Sequence, residues 1–156
     1  MSTILLAAIT AFLSTSATLW ATQISKAVDR RRDRLALVMA NLIAWIEFPY
    51  RIRRRTSDKP ETLEELADEG HQMQQRFAAD EAWIAAHQPK LLADYRSARR
   101  EIGESVGQAA TEAWSMGPVS SALEMNIGDW GPARACHPHL VKFEEAIKKR
   151  WWQRFM

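Results

Sequence analysis

The most enzyme-like run in the chain is Cys136-His137-Pro138-His139, which brings one thiol and two imidazoles within four residues, with Glu144 a turn or so beyond. Zinc or iron accepts such ligands. The spacing is unlike the usual two-plus-two arrangement, however, and His71 and His87 stand apart with no paired ligand nearby. A catalytic cysteine needs a base that faces it, and residues adjacent in sequence rarely face one another. Cys136 therefore reads as a small buried side chain, His137 as a turn residue before Pro138, and His87 as the end of a core stripe. The carboxylate pairs Glu64-Glu65, Asp68-Glu69 and Asp80-Glu81 fall in an acidic helix, where solvated charge is the ordinary explanation. Asp80 differs because it occupies an apolar-stripe slot, and Arg96, Arg99 or Arg100 on the next helix is its expected partner. There is no glycine-rich phosphate loop, nucleophile elbow or HExxH motif. The reading is a non-enzyme with no catalytic residue, no metal and no cofactor.

Elements to hold any site must come from 156 residues, about one domain, of which 47% are hydrophobic and 26% charged, with seven tryptophans. That composition excludes a disordered chain and makes two domains improbable. A single cysteine excludes an internal disulfide framework and suits a reducing compartment. The net charge of +2 conceals segregation: residues 1–60 carry ten basic and four acidic groups, residues 61–104 five and ten, and residues 105–156 six and five. Basic clusters at 26–34, 51–55 and 148–154 are thus split by an acidic middle. A nucleic-acid binder more often presents one sustained basic face, so no nucleic-acid partner is expected.

Residues 3–24 contain no charged side chain, and 22 helical residues span about 33 Å, the hydrocarbon thickness of a bilayer. Ile4, Leu5, Leu6, Ile9, Phe12, Leu13, Leu19 and Trp20 would face lipid or its interface, although eight hydroxyl and amide residues dilute the stretch. A cleaved signal peptide should have a cationic leader, which Met1-Ser2-Thr3 does not supply. Five cations follow at once, namely Lys26, Arg30, Arg31, Arg32 and Arg34. Lysine and arginine are retained on the cytoplasmic side, which predicts an amino terminus outside the cell membrane and a cytoplasmic body. The same cations would meet anionic headgroups. Ala7, Ala11, Ser14, Thr18, Ala21 and Ser25 fall on one stripe, a small-residue seam of the kind that lets membrane helices associate.

Beyond Arg34 the periodicity is helical and no convincing strand appears, so the class is all-α. Leu35, Val38, Leu42, Trp45 and Ile46 continue the first helix without a break, until Pro49 kinks or ends it. Asp58 three residues before Glu61, with Pro60 between, predicts a capped helix start. Leu63, Leu66, Gly70, Met73, Phe77, Ile84 and His87 give the second helix its stripe. Leu91, Tyr95, Ala98, Ile102, Val106, Ala109 and Ala113 give the third. Glycine and proline mark 115–138 as irregular, and Pro138 is expected to open a last helix bearing Leu140, Phe143, Ile147, Trp151 and Phe155 on one face.

The expected architecture is an amino-terminal transmembrane anchor (residues 1–25) continuing into an antiparallel, up-down bundle of about four helices (residues 26–156). That topology would return Lys148, Lys149, Arg150, Trp151, Trp152 and Arg154 to the bilayer surface, where cations interleaved with tryptophan fit. The function so indicated is a single-pass, membrane-anchored accessory, scaffold or regulatory module with a protein partner or a second copy of itself. Two alternatives stand beside it. One is a membrane-active oligomer, a pore-forming toxin or lysis effector built on the small-residue seam. The other is a structural subunit whose first helix packs against neighbouring chains.

Overall fold

A computed structural model describes the backbone of residues 2–152 and the side chains of residues 22, 23 and 25–150. Four helices make up the described chain: α1 Ser2–Arg53, α2 Pro60–His87, α3 Leu92–Ser115 and α4 Ala133–Trp152. A 3-10 turn, Pro89–Leu91, leads into α3, and there is no strand among the described residues. The chain divides into two compact units, residues 1–37 and 38–156.

In the first unit the backbone is helical throughout its described length. Lys26, Arg30 and Arg32 are exposed, Arg31 and Arg34 half-exposed, and Ser25 is exposed. The proposed lipid-facing residues Ile4, Leu5, Leu6, Ile9, Phe12, Leu13, Leu19 and Trp20 lie outside the described side chains, as do Ala7, Ala11, Ser14, Thr18 and Ala21 of the seam.

One helix long and apolar enough to cross a membrane lies near the amino terminus: within the described residues it is Ser25–Arg53, and 39% of its apolar window is buried inside the structure. Burial follows a helical period, with Leu35, Val38, Leu42, Ile46 and Ile52 all shielded from solvent. The helix runs through Pro49 to Arg53 rather than ending there. Proline removes one donor at that turn, but Pro49 is itself fully buried, and packing on either side of it, at Phe48 and Ile52, carries the helix onward.

In the second unit, α2 buries Leu66, Met73, Phe77, Asp80 and Ile84, and α3 buries Tyr95, Ala98, Ile102, Val106, Ala109 and Ala113. These are the stripe positions the spacing predicts, except that Leu63 and Gly70 are half-buried and His87 is exposed. His87 stacks on Trp83, ring centroids 5.1 Å apart, which spends its apolar face one turn back. Trp45 tilts against Phe77 at 4.6 Å, and Tyr95 against Phe143 of α4 at 5.8 Å. Ile52, Leu66 and Ala113 form a second cluster, flanked by Phe48, Ala110 and Trp130.

Two local starts differ from expectation. The carboxylate of Asp58 does not cap α2; the cap position is Lys59, with no side-chain bond, because Asp58 is spent on Arg55 at 2.6 Å. Helix α4 begins at Ala133, not at Pro138, which sits in its second turn. A proline this early removes a single intrahelical bond. The backbone N–H of Cys136 already donates to Pro132 at 2.9 Å, so the helix is established before Pro138.

The irregular segment between α3 and α4 is therefore shorter than 115–138, and it is fastened at both ends. Val119 N–H donates to the Arg55 carbonyl at 2.9 Å, and the Ala133 N–H donates to the Tyr50 hydroxyl at 3.3 Å. Gly131 adopts φ +116°, and any Cβ placed there would collide with the Tyr50 ring. Replacing Gly131 with alanine should cost about 1–3 kcal/mol through backbone strain and the displaced tyrosine. A lowered urea midpoint for the full chain is the expected result, with a smaller drop when Gly131→Ala is made in a Tyr50→Ala background, where only the backbone strain remains.

Candidate functional site

Cys136, His137 and His139 occupy successive positions of α4 and diverge. Cys136 is fully buried, its sulfur 4.0 Å from the Ile102 carbonyl on α3; burial pushes the thiol above its ordinary value. His137 is exposed. His139 pairs through Nδ1 with Glu101 Oε2 at 2.5 Å. No group of three or more His, Cys, Asp or Glu among the described residues is placed to hold a metal ion.

What the sequence did not flag is the polar seam that His139 joins. Ser97 donates its hydroxyl to Glu101 Oε1 at 2.9 Å, and Asp94, Lys142 and Phe143 complete a small cleft between α3 and α4. A serine hydroxyl and an imidazole are both present, but the carboxylate sits between them, so the histidine is not placed to take the serine proton. Charge pairing is what this arrangement accomplishes. The Ser97 hydroxyl, followed by the charges of His139 and Lys142, holds Glu101 below its ordinary value of 4.5.

A carboxyl group lowered in the folded state stabilises the fold fully above its unfolded value and loses that contribution as pH falls through the lowered one. Acidification below about 4.5 should therefore weaken the α3–α4 contact. Urea midpoints measured between about pH 3 and pH 6 should show a shallower slope in Glu101→Gln than in the parent chain.

Asp80, 1% exposed, is met by Asn41, whose Nδ2 donates at 2.7 Å. The arginines of α3 also engage the carboxylates beside it. Arg96 and Arg99 both take Glu81, at 2.8 and 2.9 Å, and Arg100 lies 3.5 Å from Glu101. Glu81 is one step of the helix round from Asp80 and only half-buried, so long exposed guanidiniums reach it without being desolvated.

The cluster at 51–55 is largely consumed within the molecule. Arg51 pairs with Glu69, and Arg54 Nε donates to the Met125 carbonyl at 3.3 Å. Arg55 is 7% exposed. Its Nη1 donates to the carbonyls of Ile52 and Ala113 at 3.1 and 3.0 Å, and its Nη2 to Met116 at 2.5 Å. One side chain thus satisfies carbonyls at the ends of both α1 and α3, which helices otherwise leave unpaired.

The two other basic groups show the following contacts. Arg30 Nε donates to the Lys26 carbonyl at 3.2 Å. Lys148 pairs with Glu144 at 2.6 Å, Lys149 is exposed and Arg150 half-exposed; Trp151, Trp152 and Arg154 lie outside the described side chains.

A groove lies among the first three helices. Trp45 and Phe48 of α1, Gly70, Met73, Gln74 and Phe77 of α2, and Arg99 of α3 enclose about 670 Å³ of atom-free space including the open mouth. No known protein family, curated protein or solved structure matches this chain.

Proposed function

We propose that the chain is a single-pass membrane-anchored helical module whose cytoplasmic bundle binds another protein as an accessory, scaffold or regulatory subunit. The observation that carries this reading is the charge-free run 3–24, followed at once by five cations in nine residues. A membrane-crossing helix with its basic flank on the cytoplasmic side accounts for both features. The exposure of Lys26, Arg30 and Arg32 leaves them available to anionic headgroups.

An up-down order of helices is part of the same reading. Its support is the partner pairs: 41 with 80, 45 with 77 and 51 with 69 between α1 and α2, 81 with 96 and 99 between α2 and α3, and 95 with 143 and 101 with 139 between α3 and α4. In most of these series one number rises as the other falls. Lys148, Lys149 and Arg150, exposed or half-exposed on α4, are offered to anionic headgroups in the same reading.

Fractionation of the chain with and without residues 1–25 tests the anchor, and crosslinking pull-down of the full chain tests the module. Retention in the membrane pellet after carbonate extraction, lost on removing residues 1–25, is expected, together with one specific co-purifying protein. A full-length chain that carbonate releases into the supernatant would replace this reading with a subunit packed through its first helix.

A further inference from the structure

Residues 116–132 lie beside the last turns of α1 and are held there mainly at their two ends. Val119 bonds to the Arg55 carbonyl and the Ala133 N–H to Tyr50, but residues 120–126, 128 and 129 are exposed and Ile127 is half-buried. Ser120 and Ser121 bond to Glu124 and the Gly128 N–H to Asn126, so these polar groups are spent within the stretch. Between its ends, the tie to the helices is the bond from Arg54 Nε to the Met125 carbonyl, with the charge of Arg53 acting on Glu124. A stretch with so few buried contacts opens at low cost.

Trp130 is where this stretch turns inward. Its ring packs, with Phe48 and Ala110, on the cluster of Ile52, Leu66 and Ala113, one residue each from α1, α2 and α3, and meets the Tyr50 ring edge to face at 5.7 Å. It stands between Gly128 at φ +54° and Gly131 at φ +116°, two left-handed positions that turn the chain toward the helices and away again. The indole N–H is sealed from solvent and meets no acceptor among the described residues. A ring face such as that of Tyr50 is a weak acceptor at most, so burying this donor costs free energy that exposure to water returns.

We propose that residues 120–131 form a strap whose Trp130 plugs an apolar socket at the meeting of α1, α2 and α3, and that the strap swings out while the helices stay packed. Closed, the ring covers Ile52, Leu66 and Ala113. Open, the socket is uncovered and the indole N–H reaches water. Apolar burial of the ring favours the closed state and the unpaired donor favours the open one, which keeps the two close in free energy. The strap and its socket lie wholly within residues 38–156, so this inference holds whether or not the amino-terminal stretch crosses a bilayer.

The test alkylates the full chain carrying Ala113→Cys, held in phosphatidylcholine nanodiscs, with iodoacetamide, and follows position 113 and Cys136 separately by peptide mass. Position 113 belongs to the cluster that Trp130 covers, whereas Cys136 is sealed between α4 and α3, so the first reads the strap and the second the helices. Labelling at 113 faster than at 136 by about tenfold is expected. Arg54→Met and Tyr50→Phe, each removing one tie, should speed labelling at 113 about fivefold and leave 136 unchanged. Replacing Trp130 with benzothienylalanine, which keeps the shape and lacks the N–H, should slow labelling at 113 about tenfold, because opening then relieves no buried donor. Ala110→Cys, at the edge of the same cluster, carries the same comparison where Ala113→Cys melts without cooperativity. Equal rates at the two thiols, a rate at 113 unmoved by Arg54→Met and Tyr50→Phe, or labelling as fast with benzothienylalanine as with Trp130 would each overturn the proposal.

Discussion

Replacing Arg55 with methionine should destabilise the bundle by about 3–5 kcal/mol, although methionine fills much of the same volume. The loss is one of hydrogen bonds at two helix ends. Carbonyls of Ile52, Ala113 and Met116 all accept from this guanidinium; Ile52 keeps the Arg55 backbone N–H at 3.3 Å, while Ala113 and Met116 lose this donor, and desolvated acceptors left unpaired are costly individually. Arg55 also stands 5.2 Å over the Trp114 ring, which adds a smaller favourable contribution. Asp58 is about half exposed and regains water, so it adds little. Lysine at the same place keeps the charge but not the planar fork, and Arg55→Lys should recover roughly half of the loss. Urea unfolding of the full chain, followed by tryptophan fluorescence, measures both; a methionine variant within about 1 kcal/mol of the parent would contradict the clamp.

Introducing arginines at Leu6 and Ile9 should move the protein from the membrane pellet to the soluble fraction. Leu6 and Ile9 lie in the outer half of the span, so each arginine costs less than the about 2.5–3.5 kcal/mol of the helix centre, but the pair also removes two apolar residues from the densest part of a diluted run. Lysines at Thr22 and Gln23, on the cationic flank, should leave retention intact, since that end already lies among charges. Unchanged membrane retention of the Leu6→Arg, Ile9→Arg chain would remove the anchor and with it the topology built on it.

Much of the helical plan is written in spacing. The α3 stripe is buried at every expected position because small and branched residues there recur at the helical period with no competing partner. Pro138 misplaces a helix start because a turn already formed before it outweighs the one backbone bond a proline removes, and Pro49, which could kink or end α1, does not end it because packing around it outweighs the same bond. The Asp58 cap fails because a buried guanidinium three residues upstream is a stronger claimant than a backbone N–H. Side-chain pairings between helices were the least legible. Asn41 with Asp80 and His139 with Glu101 depend on how helices are rotated against each other, which periodicity leaves open. The groove was invisible for the same reason, since Gly70 reads as one more stripe residue.

Cys136 gives the molecule a built-in stopwatch. Its sulfur is sealed against α3 with no solvent access, and it is the chain's sole thiol. Any alkylating reagent must wait until α4 lifts away. The rate of labelling therefore reads how often these two helices part, and every substitution along Ser97, Glu101 and His139 can be ranked by how far it speeds that clock.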